Sequence, residues 1–125
     1  MAHRNLRIVT GVLVLVGGLI HLLDWFELLR NVPKIGPLFL LNVAVSVIVA
    51  GLLFVRRGWL GIVAAIALSV GTLAGFLLAR YGTLFGYSEP TWRTTIVLAA
   101  VVEVAAAAAA VVTIMAKRRS DAAVA

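Results

Sequence analysis

The chain has 125 residues, of which 63% are hydrophobic and 13% charged, and its mean hydropathy is +1.12. A soluble domain carries about 25% charged residues, so this composition excludes the soluble class and places the chain among membrane proteins. The absence of cysteine excludes disulfides, thiolate metal sites, CxxCH haem attachment and cysteine nucleophiles; the formal charge of +6 sits in short basic clusters at the ends of apolar runs, which fits an anionic lipid surface and argues against nucleic acid as a partner.

Arg4 and Arg7 precede the first apolar run as in a signal sequence, but no A-x-A-like site follows and three further apolar segments come later. The run is therefore read as an uncleaved first membrane helix. Helices are predicted over 7–29, 36–55, 59–80 and 93–116, each long enough at ~1.5 Å per residue to cross a hydrocarbon core of about 30 Å. The connections are short and carry breakers: Pro33 in the first, Arg56-Arg57-Gly58 as the second, and Gly82, Gly86 and Pro90 in the third. Short connections make sequential helices antiparallel, so the expectation is an all-α, up-down four-helix bundle that spans the membrane, with residues 1–125 as one domain.

Counting Lys and Arg sets the orientation. Arg4, Arg7, Arg56, Arg57, Lys117, Arg118 and Arg119 fall on one side and Arg30, Lys34, Arg80 and Arg93 on the other, so both termini are expected in the cytoplasm of a multi-pass cell-membrane protein. Asp24, Glu27 and Glu89 then lie near the outer leaflet. Gly17, the Gly71-xxx-Gly75 pair and the alanine run 105–110 read as small surfaces for close helix approach.

On helix 1, steps of about 100° align Thr10, Gly17, His21, Asp24, Leu28 and Asn31 as an inward seam, with Glu27 to one side. His21 lies nine residues before Arg30 and Glu103 ten after Arg93, so each sits ~14 Å below the outer end of its helix and the two can meet. Asn42 adds an amide from helix 2. The expected ligand-binding set is His21, Asp24, Asn42 and Glu103, with Glu27, Arg80, Tyr81, Glu89 and Trp92 at the rim, because ionisable groups within membrane helices face protein or water. Several have simpler readings. Arg30 and Arg80 complement helix C-termini, Glu89 beside Ser88 and Pro90 reads as a helix cap, and Trp25, Trp59, Trp92, Tyr81 and Tyr87 form an aromatic belt.

A metal, if any, would use His21, Asp24 and Glu103, but the HxxD spacing occurs once and borrows Glu103 from another helix, unlike the paired ExxH of carboxylate bundles. Haem would need a second membrane histidine from a dimer, and no cofactor is read from the sequence. Three functions remain open: an outward pocket for a small ligand or cation; an accessory or structural subunit of a larger membrane complex or homo-oligomer, docking through helix 4; and a membrane redox component or enzyme using His21. The third is least favoured, since no nucleophile motif is present. The segments Gly36-Pro37-Leu38-Phe39-Leu40-Leu41-Asn42 and Gly82-Thr83-Leu84-Phe85-Gly86-Tyr87-Ser88-Glu89, with the early His21 and mid-helix Glu103, resemble small four-helix bacterial membrane proteins to which no activity is attached. The resemblance implies a four-helix membrane fold and no site residues.

Overall fold

The computed structural model describes residues 2–55, 58–89 and 92–124. They form α1 (Ala2–Asp24), a π-helical turn (Trp25–Leu29), α2 (Ile35–Val55), α3 (Leu60–Tyr81) and α4 (Thr94–Val124), with no strand beyond a single bridge between Leu84 and Tyr87. All four helices are long and apolar enough to cross a membrane. The fold is therefore all-helical and consistent with the expected bundle. Arg56, Arg57 and Pro90, part of the turn, orientation and capping expectations, lie outside the described residues.

The helices close a ring in which α1 packs most extensively on α2 and α4, and α3 completes the circuit between them. Two boundaries differ from expectation. Helix 1 begins five residues earlier, at Ala2 rather than residue 7, and α4 runs on to Val124 rather than stopping near residue 116. At ~1.5 Å per residue α4 spans about 46 Å, well beyond the hydrocarbon thickness. Nothing in Lys117-Arg118-Arg119-Ser120-Asp121 breaks a helix, and Lys117 and Asp121 pair four residues apart at 3.3 Å.

The two halves of the bundle differ. Near the termini, Val14 of α1, Val49 and Leu53 of α2, Ile62 and Ala65 of α3, and Ala106 and Ala110 of α4 form one close-packed core. Lipid tails are as apolar as these side chains, so shape complementarity and hydrogen bonds hold the helices together rather than water exclusion. The Thr10 and Thr113 hydroxyls lie 3.4 Å apart across α1 and α4, each also within reach of a carbonyl one turn back, so that one of the two protons can bridge the helices while the other donates to its own carbonyl. Arg7 enters the same end. Its guanidinium donates to the carbonyls of Leu52, Leu53 and Gly58 at 3.2, 3.3 and 2.8 Å, which places its positive charge at the C-terminal end of α2, where the helix dipole favours a cation.

The other end is hollow, and the π-turn shapes it. Widening the last turn of helix 1 advances the inward seam by one residue: Leu28, expected inside, is 54% exposed, while Leu29 is 3% exposed. Asn31 is exposed for the same reason. Lys34 then adopts a left-handed conformation with φ 65°, and Gly36 starts α2 so close to the Leu29 and Arg30 carbonyls that an added Cβ would lie 2.8 Å from one of them.

Candidate functional site

Every residue of the expected ligand-binding set, His21, Asp24, Asn42 and Glu103, lines one cavity of ≈ 350 Å³ in the hollow half, at the end opposite both termini. That volume falls in the range of small-molecule sites, about 300–1,000 Å³. Most of the wall is apolar, with Leu38, Phe39, Leu68, Phe76, Ile96 and Ala99 among its contributors. The polar groups occur at three levels.

At the mouth, Arg93 is the hub. Its Nη1 donates to Asp24 Oδ1 at 3.0 Å, and its Nε and Nη2 donate to the two Glu89 oxygens at 3.2 and 3.3 Å. Thr95 donates to the same Asp24 oxygen at 2.7 Å, and the Tyr87 hydroxyl donates to Glu89 Oε2. Glu89 is further fixed by its backbone N–H, which donates to the Ala79 carbonyl at 2.7 Å. Asp24 and Glu89 are 4% and 5% exposed, and carboxylates so buried need a cation. The Arg93 guanidinium bridges the two. Burial first, and then the Glu89 carboxylate that its hydroxyl faces, push the Tyr87 phenol up to about 12.

Below the mouth lies His21, 7% exposed, its ring 4.9 Å from that of Phe39. Its Nδ1 is 2.8 Å from the Gly17 carbonyl; a carbonyl only accepts, so Nδ1 carries the proton and Nε2 of the neutral ring is an acceptor. Asn42 donates from Nδ2 to Thr72 Oγ1 at 2.8 Å, the polar link between α2 and α3, and its Oδ1 accepts from Ser46 at 3.3 Å. Deepest is Glu103, 6% exposed. Gly17 allows this placement: a Cβ there would sit 2.8 Å from Glu103 Oε1, so any other residue would crowd the carboxyl. The buried Ser69 hydroxyl lies alongside it as its polar neighbour. Among the described residues no cation pairs with Glu103.

The cavity also opens sideways. Leu41 of α2 and Ala67 and Gly71 of α3 line it and are exposed, at the α2–α3 side of the ring, where the two helices pack together less than the other ring neighbours. This corrects the packing role expected of Gly71 and Gly75. A Cβ at Gly71 would meet nothing within 4 Å, and one at Gly75 only Leu84 at 3.6 Å. Close approach is provided instead by Gly17 against Glu103 and by Gly18, where an added Cβ would come 2.9 Å from Ser46 Cβ.

Of the expected rim, Glu89 lines the cavity and Glu27, Arg80, Tyr81 and Trp92 do not. Glu27 is exposed on the π-turn. Arg80 lies 5.1 Å from the Trp92 ring and 5.6 Å from that of Tyr81, and Trp92 meets Phe76 edge-on at 5.5 Å, forming an aromatic and cationic cluster outside the wall. The capping expectation for Ser88 changes too, since its hydroxyl donates to the Gly82 carbonyl at 2.8 Å. Arg93, Thr95 and Tyr87 were not expected at the site. Two buried carboxylates near the outer leaflet were the signal that a cation had to be close, and Arg93 is the nearest in sequence to Glu89.

Among the described residues no three His, Asp or Glu side chains converge closely enough to hold a metal ion, so His21, Asp24 and Glu103 share the cavity without forming a metal centre. Comparison with family models, curated proteins and solved structures found no match.

Proposed function

We propose that this is a small integral protein of the cell membrane, with both termini in the cytoplasm, whose outward-facing polar pocket binds a small ligand or cation. The observation that carries this reading is the single ≈ 350 Å³ cavity on which His21, Asp24, Asn42 and Glu103 converge in an apolar wall, an arrangement typical of ligand sites, where a few placed polar groups orient a largely apolar contact. The orientation rests on the Lys and Arg count, and a bacterial source on resemblance alone.

The competing reading, an accessory subunit of a larger complex or a homo-oligomer, draws support from the broad apolar outer face of α4, where Val97, Val101, Val104 and Val111 are exposed. Its small residues Ala106 and Ala110 are already occupied inside the bundle. A redox or enzymatic role would rest on His21 alone.

The test is native mass spectrometry of the protein in nanodiscs, looking for a retained small molecule in the wild type, in Glu103→Gln and in His21→Ala. The pocket reading expects both variants to stay folded and to lose the adduct. Ala99→Phe, which fills the cavity from α4, should lose it as well. Variants that unfold without a separable binding defect, or a stoichiometric protein partner copurifying in mild detergent, would support the subunit reading instead.

A further inference from the structure

Three carboxyl groups face the cavity, Asp24, Glu89 and Glu103, against one guanidinium, that of Arg93. The first two share Arg93 at the mouth. Glu103 lies ten residues beyond Arg93, roughly 15 Å in, with no ion pair among the described residues, Ser69 as its polar neighbour and its carboxyl against the Gly17 backbone. A buried carboxyl in apolar surroundings is satisfied only by a cationic donor or by neutralisation. We infer that the occupant is a lipophilic amine, whose ammonium head pairs with Glu103 and whose apolar body lies along Phe39, Leu68 and Phe76, entering sideways from the outer leaflet between α2 and α3.

Each part of this rests on a separate observation. The wall fits an apolar body, and the window formed by Leu41, Ala67 and Gly71 opens where such a body resides in lipid. An amphiphilic amine in the outer leaflet holds its head at the interface, level with the mouth. There the Asp24 and Glu89 carboxylates line the approach, and carboxylates favour a cation and oppose an anion. His21 Nε2 and Asn42 lie along the path as neutral polar contacts. An anionic ligand would bring like charge against Glu103 in a water-poor cavity, which costs several kcal/mol.

The inference rests on the pocket reading above, and its test separates the two. Three probes share one body and differ in the head: 4-phenylbutylamine, 4-phenylbutanol and 4-phenylbutyrate. Their binding to the whole protein in nanodiscs is measured by saturation-transfer NMR with empty nanodiscs subtracted. The amine should bind at least ~10-fold tighter than the alcohol, equivalent to about 1.4 kcal/mol, and the carboxylate not detectably. Glu103→Gln should level amine and alcohol, with helical circular dichroism confirming that it is folded; the wild-type comparison stands even if that variant fails to fold. Gly71→Phe should slow amine association several-fold, while Gly51→Phe, also on open space but away from the cavity, should not. Equal binding of amine and alcohol in the wild type would overturn the amine assignment and leave the pocket standing. Failure of all three to bind would overturn both, and unaltered association in Gly71→Phe would overturn the lateral route.

Discussion

Replacing Arg93 with methionine removes the cation that pairs with both Asp24 and Glu89 and leaves these two carboxylates buried. Breaking a fully buried ion pair costs about 3–5 kcal/mol, because one partner is stranded as an uncompensated charge. Here the Arg93 side chain keeps 23% of its exposure while the carboxylates keep 5% and 6%. Partial solvation therefore argues for the lower end, about 3 kcal/mol, even though two carboxylates lose their partner. The assay is equilibrium unfolding in mixed micelles, followed by helical circular dichroism, on a set combining Arg93→Met with Asp24→Asn and Glu89→Gln. The triple variant should recover most of the loss, since neutral amides need no cation. Contacting charges should show coupling above roughly 0.5 kcal/mol. A single-variant cost below about 1 kcal/mol, or additive effects throughout, would mean that water rather than Arg93 compensates the carboxylates and that the mouth is not the organised network described.

Two further outcomes test the local structure. Leu29→Ala should cost about 2–4 kcal/mol in the same assay and Leu28→Ala less than about 0.5 kcal/mol; a reversed order would remove the π-turn and its one-residue shift. Ultraviolet titration of Tyr81→Phe should show the Tyr87 phenol ionising near 12, and Glu89→Gln should lower that midpoint. Because the folded pKa lies above the unfolded value of about 10, the associated stability is complete below pH 10 and is lost as pH rises toward 12; a midpoint near 10 in the folded protein would contradict the Tyr87–Glu89 contact.

Two kinds of information in the chain were legible before the structure. Hydrophobic runs of about 20 residues, broken at Pro33, Gly58 and Gly82, gave four helices, because backbone hydrogen bonds must be satisfied within the segment in lipid. Residue counts from the helix ends put His21 and Glu103 at one depth; both line the cavity, but Glu103 lies against Gly17, one turn deeper than His21. What escaped detection has a physical cause in each case. The π-turn inserts no signature residue, so an ideal 100° step carried the seam to Leu28 rather than Leu29. Arg93 reads as an orientation charge until Asp24, 69 residues away in sequence, is brought beside it. Gly71-xxx-Gly75 matches a helix-contact motif, yet the same absence of side chains can open a gap as readily as close one, and composition does not distinguish the two.

The cavity itself bears on which function is physically economical. Side chains that line open space forfeit packing contacts with one another, and at the hollow end ≈ 350 Å³ between the helices is left unfilled by the protein. A bundle serving only as a scaffold could avoid this with larger residues at Gly71 and Gly75, neither of which is needed for close approach in the way Gly17 and Gly18 are. The same bundle achieves dense packing a few turns away, around Ile62, Ala106 and Ala110. The hollow end is instead propped by polar links, Asp24 to Arg93 and Thr95 between α1 and the start of α4, and Asn42 to Thr72 between α2 and α3. These fix the helix positions at the rim without filling the space between them. An occupant of the kind proposed above would supply the missing contacts, and its ammonium head would meet the carboxyl of Glu103 at the floor.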